Sequence, residues 1–157
     1  MNCIKKIFCT NAANWGTLPI RLALGIIFLA HGSQKLFGAF GGPGLENLAK
    51  FFDQGGISPG AFWAPLAAGG EFFGGLLVLL GLFTRFGALN LVIVMLVAIV
   101  HVHWSAGFFA PKGFEYPFAL LGMAVALLIS GGGAASADAC ICGKCKSGEV
   151  SSETQSG

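Results

Sequence analysis

Charge is scarce in this chain. Lys, Arg, Asp and Glu together make up 10% of its 157 residues, against roughly 25% in an average soluble chain, and the mean hydropathy is +0.77. A single domain of this length has no core large enough to hide so many apolar runs, which excludes an ordinary soluble protein. The net charge of +2 and the scattered or terminal placement of the charges exclude a nucleic-acid-binding face. A β-strand pattern and an internal repeat are also missing. Cysteine is absent from the whole apolar middle: Cys3, Cys9, Cys140, Cys142 and Cys145 all lie near the ends. An odd number of thiols in terminal segments is a poor disulfide framework. The start of the chain, with Lys5 and Lys6 ahead of apolar residues, lacks a small-x-small cleavage site, and Arg21 interrupts the apolar run. It reads as an uncleaved first span rather than a signal peptide.

What is present is a set of helical apolar runs. The sequence predicts an all-α polytopic membrane protein, a four-transmembrane-helix bundle, because helices satisfy their own backbone polar groups in lipid. The predicted spans are Trp15 to Phe37, Ala61 to Phe83, Phe86 to Trp104, and Tyr116 to Ile129 extended by Gly131 to Gly133. Each comes close to the length that crosses the hydrocarbon core at about 1.5 Å per residue. Gly38 to Pro59 is a loop in which Leu45 to Asp53 has the pattern of an amphipathic interfacial helix. The organisation is therefore a cysteine-containing leader over 1–14, a membrane domain over 15–133, and a flexible cysteine-containing tail over 134–157, where Ser130 to Ala137 reads as a linker.

An even number of spans puts both termini on one side. That side and the Arg85 turn carry Lys5, Lys6, Arg21, Arg85, Lys144 and Lys146, whereas the loop side carries Lys35, Lys50 and Lys112. The positive-inside rule then places leader and tail in the cytoplasm, where thiols are reduced or bind metals.

The most unusual stretch is Ala67 to Gly81, where Glu71 stands inside a run of membrane-span length with Gly69-Gly70 before it and Gly74-Gly75 after it. A charge at that depth is costly and marks a site; the glycines would let another helix approach closely beside it. Alternating helix direction brings His31, Lys35, Glu71, His101, His103, Glu115 and Tyr116 to the loop-side layer, and sends Arg21, Arg85 and Asn90 the opposite way. At about 100° per residue, His101 shares a stripe with Asn90, and His103 lies about 160° from His101, so the helical period favours His101 for the bundle centre. His103, Trp104 and Tyr116 then look like interfacial residues, and Arg21 and Arg85 like topology anchors. Three readings of the layer stay open: a small-molecule or quinone pocket in which His and Glu exchange protons, a metal site of His and Glu on facing helices, or an ion-paired network that fixes the bundle register. Separately, Cys140-Ile141-Cys142-Gly143-Lys144-Cys145 offers thiols for a soft metal such as copper or zinc, or a redox dithiol, without the second C-x-x-C or nearby His that a zinc site needs.

Arg21 to Gly38 (RLALGIIFLAHGSQKLFG) resembles the opening of the DoxX family of small bacterial membrane proteins. The resemblance continues in order through Gly41-Gly42-Pro43, Phe51-Phe52, Glu71 to Gly75, Leu80 to Arg85, the His-x-x-x-Gly-Phe-Phe of His103 to Phe109, Gly113 to Pro117, and the Gly-Gly-Gly-x-x-Ser-x-Asp of Gly131 to Asp138. It implies a four-helix protein of the bacterial inner membrane. It further implies a subunit or partner of a quinone-linked oxidoreductase in sulfur/thiol or oxidative-stress metabolism, with quinone as its cofactor. His31, Lys35, Glu71, His103 and Glu115 are the site residues it supports, and its motif frame prefers His103 where the helical period prefers His101. Its partners would be the lipid bilayer and a soluble or membrane redox protein, with homo-oligomerisation open. The alternatives are a non-enzymatic protein for copper or zinc handling, with metal at Cys140, Cys142 and Cys145, or a scaffold that anchors a soluble enzyme.

Overall fold

The computed structural model describes residues 14–109 and 113–141. Among the described residues the main helices are α1 (Thr17–Phe37), α2 (Gly44–Gln54), α3 (Gly60–Leu80), α4 (Thr84–Ala98) and α5 (Glu115–Ser130), and residues 137–141 are helical as well. A 3₁₀ turn, Ala39–Gly41, joins α1 to α2. Beyond Ala98 the α4 helix widens into a π-turn, Ile99–His103, and then tightens into a 3₁₀ turn, Trp104–Ala106. No strand occurs among the described residues.

The helices α1, α3, α4 and α5 pack in a ring, α1 on α3, α3 on α4, α4 on α5 and α5 back on α1, while α2 lies against α1 and α3. The centre of the ring is apolar, with Leu24, Phe28, Val78, Leu91, Leu120 and Leu127 buried together. Large apolar side chains also cover the outside, as a bilayer solvent requires. The tightest contact is α1 on α3, where backbone meets backbone. A Cβ on Gly32 would come within 2.6 Å of Phe72 Cα, and one on Gly75 within 2.8 Å of the Leu29 nitrogen. Without a hydrophobic force between helices in lipid, close packing through small residues is what holds such a pair together.

By length and composition, α3 and the continuous segment Thr84–Ala106 are each able to cross a membrane. The α1 helix joins them when it is taken with the following segment Ala39–Gln54, from which it is bent by 98°. The sequence counted four spans; among the described residues two helices, or three with the bent pair taken as one span, are long and apolar enough to cross alone. The α5 helix is the shorter one, apolar over 16 residues, or about 24 Å against a hydrocarbon core of about 30 Å. Gly131 ends it at φ 75°, so the glycine run does not extend the helix.

Residues 134–141, assigned by sequence to the tail, lie against the bundle. Ala134, Ser136 and Asp138 are buried, and the Ala134 N–H donates to the Asn14 carbonyl at 2.8 Å. The cause is Arg21. It is no interfacial anchor: it is 2% exposed, with five carbonyls in reach of its guanidinium. Nε and Nη2 donate to Val78 and Leu79 at 3.1 Å, and Nη1 faces Gly132, Ala134 and Ala135 at 3.1 to 3.3 Å. Gly81 closes α3 at φ 66°, a backbone that favours glycine, and a Cβ there would stand 2.6 Å from Ser136 Cβ. Asp138 then caps α4, accepting from the Phe83 and Thr84 N–H groups and the Thr84 hydroxyl at 2.8 to 2.9 Å. Arg85 is half-buried and donates to the Leu128 carbonyl at 3.0 Å.

Candidate functional site

Glu71 lies eleven residues into α3, about 16 Å from its loop-side start. Its side chain is 3% exposed. Gly32 of α1 packs on the next residue, Phe72, so Lys35 stands about one turn, 4.5 Å, further toward the end of α1. Its stem reaches back, and its ammonium forms an ion pair with Glu71 Oε1. The Lys35 side chain is 30% exposed and lines a cavity beside the pair. Glu71 Oε2 is buried and has no hydrogen-bond partner among the described residues. An acceptor stranded in that way costs about 1–3 kcal/mol, and more when it is charged.

The pair forms part of the wall of a cavity of about 520 Å³, within the range that takes small molecules. Its other polar residues are Asn90 and His103 of the α4 segment. Asn90 Nδ2 donates to the Gly70 carbonyl at 2.6 Å, and a Cβ on Gly74 would stand 2.8 Å from that same nitrogen. The glycine pair of α3 therefore admits an α4 side chain; the backbone approach falls to Gly75. The rest of the wall is apolar, including Phe52, Trp63, Leu66, Val94 and Val97. Overhead lies α2. The first turns of α3 run past the end of α1, and Leu48 of α2 packs there on Ala64 and Ala68.

The structure divides the residues that the sequence gathered into one layer. Lys35, Glu71 and His103 line the cavity, while His31, His101 and Glu115 do not. His31 and His101 are exposed, and Glu115 is half-exposed in the first turn of α5. Asn90, sent by sequence to the opposite face, is in the wall. His103 takes the place that the helical period gave to His101 because the period changes. The cavity row runs Asn90, Ile93, Val94, Val97, Ala98, and an unbroken α-helix would continue it at residue 101. The π-turn inserts one residue, so Val102 and His103 follow instead. Tyr116 is exposed.

Among the described residues no three His, Cys, Asp or Glu side chains gather where they could hold a metal ion. Cys140 is an exposed free thiol; Cys3, Cys9, Cys142 and Cys145 lie outside the described residues. The site therefore combines an ammonium donor, a carboxylate with an unused oxygen and an imidazole around an apolar body. That set suits a ligand with a largely apolar frame and one or two oxygens.

The chain matches the DoxX family model over residues 16–104 and the model of the TQO small subunit DoxD over residues 63–155. It is 35% identical over 112 residues to "Putative oxidoreductase CatD" of Bacillus subtilis (strain 168), which covers 71% of this chain and 78% of that protein. It is 40% identical over 100 residues to "Uncharacterized membrane protein Rv3486" of Mycobacterium tuberculosis (strain ATCC 25618 / H37Rv), covering 60% of this chain and 58% of that one. No solved structure matches the chain.

Proposed function

The chain belongs to the DoxX family of membrane proteins, and from that premise we propose that it is the membrane-embedded subunit or partner of a quinone-linked oxidoreductase, with the Lys35–Glu71 cavity as its headgroup site. The observation that carries the proposal is the unused Oε2 of Glu71 beside an apolar cavity. A quinone headgroup fits that donor set, being a flat apolar ring with an oxygen at each end. When bound, a quinone supplies two-electron, two-proton redox chemistry. Lys35 holds one ring oxygen by donating to it. Glu71 would accept from a hydroxyl of the reduced ring, the quinol: the Glu χ3 torsion is broad and roughly two-fold, so the carboxylate can turn an oxygen to the cavity while the other stays on Lys35. His103, at the cavity wall, offers an imidazole that can donate or accept a hydrogen bond. The surrounding Phe52, Leu66 and Val97 exclude water and strengthen each of these contacts.

The same proposal places the protein in the inner membrane with its ends in the cytoplasm, supported by the excess of Lys and Arg on that side. Its pathway would be sulfur/thiol or oxidative-stress metabolism, in line with the TQO small subunit model, with electrons passing between the quinone and a partner protein. The test is a titration of the purified protein in lipid nanodiscs with a decyl-tailed benzoquinol, the reduced form whose hydroxyl Glu71 can accept from. Saturable binding that weakens on the order of tenfold in Glu71→Gln, one charge-assisted hydrogen bond, supports the assignment. Folded protein that binds no quinol, or binds it equally well as Glu71→Gln, refutes it.

A further inference from the structure

We propose that the ligand of this cavity enters from the bilayer through a portal between α3 and α4, and is therefore a lipid-borne amphiphile whose tail stays in the membrane. The inference rests on the cavity being the ligand site proposed above; it adds the route and the class of molecule. Five residues line the cavity and are also open to the outside: Phe51, Trp63, Leu66, Ile93 and Val97. They are 43–54% exposed, and every one is apolar. Trp63 and Leu66 belong to α3, Ile93 and Val97 to α4, with Phe51 of α2 at the upper corner, so they frame a mouth between those two helices.

The depth of that mouth decides what it opens to. Leu66 is about 9 Å below the loop-side start of α3, and Ile93 about 20 Å below Ala106 at the end of the α4 segment, at about 1.5 Å per residue. In a core about 30 Å thick, both lie at hydrocarbon depth. The aqueous side is covered instead. There α2 seats Leu48 on Ala64 and Ala68 and turns the exposed Glu46–Lys50 pair outward. A hydrophilic anion would have to shed its water and cross a rim whose one donor is the Trp63 indole N–H, which is costly. An isoprenoid or alkyl quinone meets no such barrier: its head passes to Lys35 and Glu71 and its tail remains between α3 and α4. A water-soluble electron donor then has to react elsewhere, on a partner.

The test uses the protein in nanodiscs with Trp15→Phe and Trp104→Phe, which leaves Trp63 at the rim as the only tryptophan. The probes are a decyl-tailed benzoquinone and the same headgroup without a tail. The tailed probe is expected to quench Trp63 saturably, and Ile93→Phe with Val97→Phe to slow its association at least tenfold at equal membrane concentration. Lipids brominated along the acyl chain should quench Trp63 in the unplugged protein, a measurement that needs no plug. Equal saturable binding of both probes with no effect of the plug, or no quenching by brominated lipid, overturns the portal and leaves the quinone site standing. Absence of any saturable binding overturns both.

Discussion

Removing Lys35 exposes what the buried pair contributes. In Lys35→Met the stem keeps most of its packing, but Glu71, 3% exposed, loses its cationic partner and has two stranded oxygens instead of one. Breaking a fully buried pair from one side costs about 3–5 kcal/mol. Lys35 keeps 30% of its surface open, so part of that interaction is screened and the expected cost falls to about 2–3 kcal/mol. Glu71→Gln is milder, at about 1 kcal/mol, because the amide oxygen still accepts from Lys35 and the ammonium has an outlet. In the double variant no buried charge is left, and its stability should return to within about 1 kcal/mol of the parent. The two single costs then fail to add, by at least about 2 kcal/mol. The measurement is reversible unfolding in mixed micelles, followed by loss of helical circular dichroism across the four proteins. A cost below about 0.5 kcal/mol for Lys35→Met, or strict additivity in the double variant, would mean that the pair is a solvated contact and that Glu71 does not depend on it.

At the other end of the bundle, Arg21→Met should destabilise by at least about 3 kcal/mol, because several buried carbonyls lose their donor together; the thermal midpoint should drop while the folded fraction binds quinone as before. Asp138→Ala removes the cap of α4 and should cost about 1–2 kcal/mol, read in the same unfolding experiment. His103→Ala should weaken binding of the decyl-tailed benzoquinone at least fivefold, whereas His101→Ala and His31→Ala leave it unchanged; the reverse ranking would restore the simple helical period. Gly32→Leu places a side chain against the Phe72 backbone and should cost about 1–3 kcal/mol or prevent folding, seen as a lower yield of monodisperse protein.

Much of this was legible in the sequence because bilayer physics leaves few options. Apolar runs separated by glycine and proline give helices, and the patterned stretch Leu45 to Asp53 gave the amphipathic α2, observed as Gly44–Gln54. Depth counting also worked for Lys35 and Glu71, since it needs only chain direction and rise per residue. It failed where the backbone departs from the α-helical period. One extra residue in the π-turn moves the row from His101 to Val102 and His103, and no residue type announces that insertion. His31 was placed at the right depth but at the wrong angle, because depth says nothing about facing. The role of Arg21 was missed for a different reason. Its acceptors are backbone carbonyls of the 78–79 turn and of residues 132–135, and a carbonyl has no letter in the sequence. The one available hint was the Gly131 to Asp138 motif, whose glycines leave carbonyls unobstructed and whose Asp138 fits the start of α4.

The two buried charges, compared with each other, bear on whether the stranded oxygen of Glu71 means anything. Arg21 and Glu71 are almost equally buried, 2% and 3% exposed. Around Arg21 the fold has been drawn in until the guanidinium faces five carbonyls, and beside it both oxygens of Asp138 are used. A bundle that saturates one buried charge to that degree is not loosely built. Around Glu71 the same fold supplies one partner and leaves a cavity where others would stand. A purely structural pin would gain from closing that space, because an unsatisfied buried acceptor costs stability and an apolar wall could be packed against it. The end that is filled holds the helices in register, and the end that is left open keeps an unsatisfied acceptor beside a cavity, which is what the proposed ligand would complete.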